Sequence, residues 1–181
     1  MYHILPQLSP LDLVAFQRVS KCCFELTKPF LHVIEEWKVI TMDKRFNSGL
    51  YHGCRDGSRD LVDFCISRGA DDWNMSLYYA SKFGHLDLVK LFIEHGASHY
   101  GWGLEAAGIH NHRKIFDFLT TLVPDNAQEW NSALYGAACG GNRELVDICI
   151  SRGATRWDMG LQGAKRNDHK DLIAFFEVHF T

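Results

Sequence analysis

From about residue 46 onward, two kinds of apolar segment alternate in a fixed register. The first is short and rich in small residues. A leucine (Leu50, Leu77, Leu104, Leu134, Leu161) is followed three places later by Gly53, Ala80, Ala107, Ala137 or Ala164. Residues at i and i+3 share one face of a helix, and a small residue there lets two helices approach closely. The second segment is denser: Leu61-Val62 with Phe64-Cys65, Leu88-Val89 with Leu91-Phe92, Ile115-Phe116 with Phe118-Leu119, Leu145-Val146 with Ile148-Cys149, and Leu172-Ile173 with Phe175-Phe176. Its spacing is helical, and it has too many apolar positions for a helix with one buried stripe. It predicts a second helix packed between neighbours. The small residue recurs at spacings of 27, 27, 30 and 27 residues. No unit of that size buries two such faces alone, so the pattern predicts an array in which each unit is completed by the next.

The polar positions mark the joints. Seven places before the small residue stands an aromatic (Phe46, Trp73, Tyr100, Trp130, Trp157), followed by Asn47, Asn74, Gly101, Asn131 or Asp158. The Asn and Asp residues read as helix starts. Four places after the small residue come Gly57, Gly84, Asn111, Gly141 and Asp168, which share tolerance of the left-handed backbone and predict a tight turn. Ser58, His85, His112, Asn142 and His169 follow, as polar side chains able to serve the next helix start. Asp60, Asp87, Glu144 and Asp171, with Lys114 as the exception, then suit the positive end of a helix dipole. Arg68, His95, Arg152 and His179 suit the other end, and Gly69, Gly96 and Gly153 close three units. The organisation that follows is a helical segment over 1–45 and a repeat domain over 46–181, with units 46–72, 73–99, 100–129, 130–156 and 157–181. The third unit is irregular: Pro124 stops its second helix, and its link carries three extra residues.

Composition narrows the function classes. The net charge of −3 carries no nucleic-acid footprint. No apolar run reaches the roughly 18 residues of a membrane span, and MYHILPQLSP lacks the pattern of a signal peptide. The six cysteines are irregularly placed, and Cys65 and Cys149 fall at equivalent repeat positions. Reduced, buried thiols in a cytosolic or nuclear protein are expected. His110 and His112 are two apart and Cys22 and Cys23 adjacent, neither being a structural zinc spacing. Nothing orients Cys139 with a histidine as a nucleophile pair. No catalytic residue, metal or cofactor is expected.

The segment LYYASKFGHLDLVKLFIEHGA, Leu77 to Ala97, resembles an ankyrin repeat through Leu77, Ala80, Gly84, His85, Leu88, Val89, Leu91, Gly96 and Ala97. The segments from Leu134 to Ala154 and from Leu50 to Ala70 resemble it as well, and share DLVD-FCISRGA against ELVD-ICISRGA. The resemblance implies an all-α ankyrin-repeat helical solenoid of about five helix-turn-helix units that binds proteins. Its departures are the missing Thr-Pro-Leu-His entry and links about six residues shorter than the family's 33-residue unit, which cut the projecting finger to a short loop. Short, Trp-bearing units of this kind resemble the expanded ankyrin families of large DNA viruses, which implies a host-directed protein in the host cytoplasm or nucleus. In the family, the two residues before the turn lie exposed on the concave side. Here these are Arg55, Asp56, Lys82, Phe83, Ile109, His110, Cys139, Gly140, Arg166 and Asn167. Phe83 and Ile109 are apolar at places expected to be exposed, as interface anchors are. Tyr51, Tyr78 and Tyr135 stand where the family has its buried histidine, which implies a structural role.

Residues 4–26, ILPQLSPLDLVAFQRVSKCCFEL, resemble the second half of an F-box through Leu8, Ser9, Pro10, Asp12, Leu13, Val19, Ser20, Lys21 and Leu26. Ser9-Pro10 is also a helix start on residue type, with Leu13, Phe16 and Val19 on one face. The resemblance implies contact with the Skp adaptor of cullin–RING ubiquitin ligases through Leu8, Pro10, Leu13 and Val19. Two readings stay open. In one, the chain is a substrate-binding adaptor that recruits such a ligase. In the other, residues 1–45 only cap the array, and the chain is a stand-alone scaffold or inhibitor of a cellular protein.

Overall fold

The computed structural model describes residues 42–125 and 128–179. The F-box-like positions Leu8, Pro10, Leu13 and Val19, and the adjacent Cys22 and Cys23, lie outside them. The described residues form ten α-helices and no strand. They divide into two compact units, one ending at Asp72 and one beginning at Trp73.

The first unit contains α1 (Met42–Asp56) and α2 (Arg59–Ser67), packed on each other. Helix α1 begins ahead of Phe46, earlier than the aromatic register predicts. The Ser58 hydroxyl accepts a hydrogen bond from the Leu61 backbone N–H and so caps α2. Gly49 leaves room for the Cys65 thiol, whose sulfur would lie 2.5 Å from an added Cβ. Burial pushes the pKa of Cys65 up to about 12, so this thiol packs as a small apolar group.

The second unit contains four helix pairs. These are α3 (Trp73–Phe83) with α4 (Leu86–Glu94), α5 (Tyr100–Ile109) with α6 (Arg113–Thr120), α7 (Glu129–Cys139) with α8 (Arg143–Ser151), and α9 (Trp157–Arg166) with α10 (Lys170–His179). The first helices stack in chain order, α3 on α5, α5 on α7, and α7 on α9. Within this unit the stacking is that of a helical solenoid. The core runs along it: Leu77, Leu104 and Leu134 are fully buried with Ala80, Ala107, Ala137 and Ala164, and so are Leu88, Phe92, Phe116, Leu145, Cys149 and Phe176. Each large apolar side chain buried in this way contributes roughly 1.5–3 kcal/mol of transfer free energy.

The turns follow the substitution pattern of the sequence. Gly57, Gly84, Asn111, Gly141 and Asp168 all have positive φ, between 55° and 86°. In each repeat the carbonyl of the small residue accepts a backbone N–H from the residue just past the turn: Gly53 from Ser58, Ala80 from His85, Ala107 from His112, Ala137 from Asn142, and Ala164 from His169. Gly69, Gly96 and Gly153 end the second helices in the same way. For example, Ala97 N–H donates to Phe92 O at 2.9 Å and Gly96 N–H to Ile93 O at 3.0 Å. This two-bond closure satisfies carbonyls that the helix end would otherwise leave open.

The asparagines after the aromatics correct one expectation. They lie inside the first helix rather than at its cap, and their side chains serve the next link. Asn74 Oδ1 accepts from Ser98 N–H at 2.9 Å and His99 N–H at 3.0 Å. Asn131 Oδ1 accepts likewise from Thr155 and Arg156, and Asn47 Oδ1 from Asp71 and Asp72. Asp158 instead pairs with Arg156 at 2.6 Å. The aromatics pack onto the second helix of their own repeat: Phe46 on Phe64, Trp73 on Phe92 and His95, Trp157 on Phe175 and Phe176. The third repeat has Gly101 in place of the asparagine, and its link is held differently. There the buried Trp130 donates its indole N–H to Pro124 O at 2.8 Å, and Arg152 donates to Asp125 at 2.8 Å.

Candidate functional site

The exposed edge of the first helices and their turns is the surface that varies while the scaffold stays constant. In the first unit, Arg55 and Asp56 are both exposed and bonded to each other, Nε to Oδ1 at 3.0 Å. In the second unit, the positions before the turns are not uniformly exposed. His110, Arg166 and Asn167 are exposed, while Lys82, Phe83, Ile109 and Gly140 are half-buried. Phe83 and Ile109 therefore present part of their surface rather than standing free, and the Lys82 ammonium lies 5.6 Å from the Phe83 ring centroid. Cys139 is 2% exposed, and burial raises its pKa. It belongs to the core beneath this surface. Asn167 turns inward to it, donating to Cys139 O at 2.8 Å.

The residues after the turns take two roles. Asn142 caps α8 by accepting from Leu145 N–H at 3.1 Å. His112 and His169 point back to the preceding repeat instead. His112 Nε2 lies 2.9 Å from Lys82 O, and His169 Nε2 lies 2.9 Å from Cys139 O. Their rings fill the space over Gly84 and Gly141, where an added Cβ would come within 2.7 Å and 2.5 Å of ring atoms. Over the Asn111 turn that lies between these, the post-turn residue of the next repeat is Asn142, which donates Nδ2 to Asn111 Oδ1 at 2.9 Å. Asn111 also donates to Gly140 O at 2.8 Å. The turn edge is thus rigidly set by one-repeat-long hydrogen bonds.

A second row lies two places before the small residue and is formed by Tyr78, Glu105 and Tyr135; the sequence implies a structural role for the two tyrosines and does not mark Glu105. All three are half-buried. The row is tightly registered, because α5 and α7 meet backbone to backbone: a Cβ at Gly136 would lie 2.3 Å from Glu105 O, and one at Gly140 2.1 Å from Gly108 O. Arg166 closes the row, donating from Nη1 to Tyr135 Oη at 2.7 Å. Burial holds the Glu105 carboxyl above the usual glutamate range, and Arg166 pulls it partly back. Tyr78 is raised by burial and by the charge of Glu105. His110 is lowered by burial, then by Lys82 and His112. The available signal was the break in register itself, an acid at 105 where Tyr51, Tyr78 and Tyr135 stand in other repeats.

Residues 72–100 match the ankyrin repeat family. The matched ankyrin repeat comprises α3, the Gly84 turn, α4 and the link tied by Asn74. The same turn and closing bonds recur in the repeats beyond it. The described residues are all-α helical repeats of the ankyrin kind, and the chain carries a protein–protein interaction module. No curated protein matches the chain. Among the described residues, no group of His, Cys, Asp and Glu is placed to hold a metal ion, and no helix is long and apolar enough to cross a membrane.

Proposed function

We propose that the chain is a protein-binding adaptor that holds its target on the exposed edge of the first helices. The observation that carries this reading is the row of half-buried Tyr78, Glu105 and Tyr135 beside Lys82, Phe83, His110 and Arg166. Aromatic and arginine side chains set on a rigid scaffold are the usual anchors of protein interfaces, and the ankyrin match supports the same use. The links are closed by Asn74 and Asn131 within a few residues, so projecting fingers contribute little, and helices and turns supply the contact.

The finer part of the proposal concerns recruitment. Residues 4–26 resemble part of an F-box, and a ligase adaptor that engages the Skp protein through Leu8, Pro10, Leu13 and Val19 fits that resemblance. Source and compartment follow the same line: short Trp-bearing repeats with an F-box-like start suit a viral protein acting on a host target. Mixing the purified full-length chain with purified Skp adaptor tests recruitment. Stable complex formation that Leu8→Asp and Leu13→Asp abolish is expected. No complex with the intact chain overturns the ligase role and leaves a stand-alone scaffold or inhibitor, which the Tyr78–Glu105–Tyr135 row serves without residues 4–26. Target capture is tested separately. Proteins retained by the full-length chain should be lost on Phe83→Glu with Arg166→Glu, while the circular dichroism of the variant stays unchanged. Unaltered retention removes this surface as the binding face.

A further inference from the structure

Glu105 occupies an unusual position for an acid. It sits half-buried on the middle helix of three, with Tyr78 and Tyr135 at the same register on the helices to either side. Its carboxylate has no hydrogen bond or salt bridge with any described residue. Arg166 acts on it from a distance, but its guanidinium donates to Tyr135 Oη instead. Some other acids of the described repeats pair locally, as in the i,i+4 pairs Arg113–Asp117 and Arg143–Asp147, and the unpaired Asp87 and Glu94 are exposed to water. A partly desolvated carboxylate without a partner is unfavourable in the free protein. A carboxylate in register with two tyrosines combines the charge and the aromatic surface that a cationic side chain engages. Backbone contact at Gly136 and Gly108 fixes α5 against α7, so the residues are held in place before any guest arrives.

We propose that Tyr78, Glu105 and Tyr135 form a seat for a single basic side chain, a lysine or arginine presented by the protein partner. Arg166 borders the seat and orients Tyr135 through its hydroxyl. The inference rests on reading this edge as the binding surface and names the partner chemistry that it takes. The ammonium or guanidinium of the guest supplies the ion pair that Glu105 lacks, and its stem lies along the tyrosine rings.

The full-length protein, labelled at its glutamate and tyrosine side chains, is titrated with the peptide acetyl-Gly-Ser-Lys-Ser-Gly-amide, with its arginine counterpart and with its norleucine counterpart. At up to about 10 mM peptide, saturable shifts at Glu105, Tyr78 and Tyr135 are expected with the lysine or the arginine peptide and not with norleucine. Glu105→Gln, a near-isosteric change that leaves the fold intact, should weaken binding about tenfold or more. The seat is overturned by no saturable shift with either basic peptide, by equal shifts with norleucine, or by unchanged peptide binding by Glu105→Gln. A target captured equally by wild type and Glu105→Gln also overturns the seat, yet leaves the binding-face reading intact. That reading fails only by the Phe83 and Arg166 variants.

Discussion

The two junctions on either side of α5 solve one packing problem by different means. Between α3 and α5, side chains set the spacing: Gly103 faces Leu77, Ser81 and Leu119, and the His112 ring fills the space over Gly84. Between α5 and α7, backbones touch, with Gly108, Gly136 and Gly140 leaving no room for a Cβ, and the amides of Asn111 and Asn142 replace the ring. The links differ in the same sense. Asn74 gathers two backbone N–H groups of the first link, whereas the longer second link hangs on Trp130 and Pro124. A repeat therefore need not conserve its glue. It needs each donor, acceptor and void at the joint to be answered by the neighbour, whichever residues do so.

The largest effect is expected where backbones touch. Gly136→Val places a branched side chain against the Glu105 backbone and should destabilise by about 3 kcal/mol, read as a lower denaturant midpoint. A midpoint within error of wild type would show that α5 and α7 separate freely. The Gly84–His112 pairing is next. Gly84→Ala should lose about 1–2 kcal/mol from the left-handed backbone and the ring contact together. In a His112→Ala background only the backbone part remains, so a double-mutant cycle should return a measurable coupling, and strict additivity would refute the void-filling role of the ring. The links come third. Asn74→Ala removes an acceptor shared by two N–H groups and should lose about 1–2 kcal/mol, with faster hydrogen exchange at Ser98 and His99. Trp130→Phe should lose about 1 kcal/mol and leave those two amides protected. If both variants speed exchange at the same sites, the links are not independent.

The smallest effect has the opposite sign. Burial raises the folded-state pKa of Glu105 above its unfolded value, so folding favours its protonated form. The associated stability is present in acid and is lost as pH rises through the glutamate range. Glu105→Gln cannot titrate, so its stability relative to wild type should improve over that rise and then level off. A difference independent of pH would mean that Glu105 is as well solvated folded as unfolded.

Much of this architecture was legible in residue types. The left-handed positions were readable because Gly57, Gly84, Asn111, Gly141 and Asp168 share one backbone property and no side-chain property. The asparagines were misread, since an Asn at a helix start looks the same whether it caps its own helix or accepts from a link 24 residues on. Local chemistry does not encode that distance. His112 and His169 were harder still: a polar residue after a turn reads as a cap, as Ser58 and Asn142 are, and only the bulk of a ring over a glycine turns it backward. At the binding edge, Cys139 was placed on the surface by its register but is buried, because Asn167 folds over it. Glu105 was passed over because it stands in the register of Tyr51, Tyr78 and Tyr135, which reads as structural.

The turn pairs impose an edge-matching rule on how such a gene can grow. Gly84 is answered by His112 and Gly141 by His169, while Asn111 is answered by Asn142. A copied 27-residue cassette inserted in frame is tolerated only where its leading face fits the repeat before it and its trailing face fits the repeat after it. Moving repeat 73–99 directly ahead of repeat 130–156 would set Gly84 against Asn142, losing the ring at one side and the amide partner at the other. A reordered array is therefore expected to lose stability at each mismatched seam.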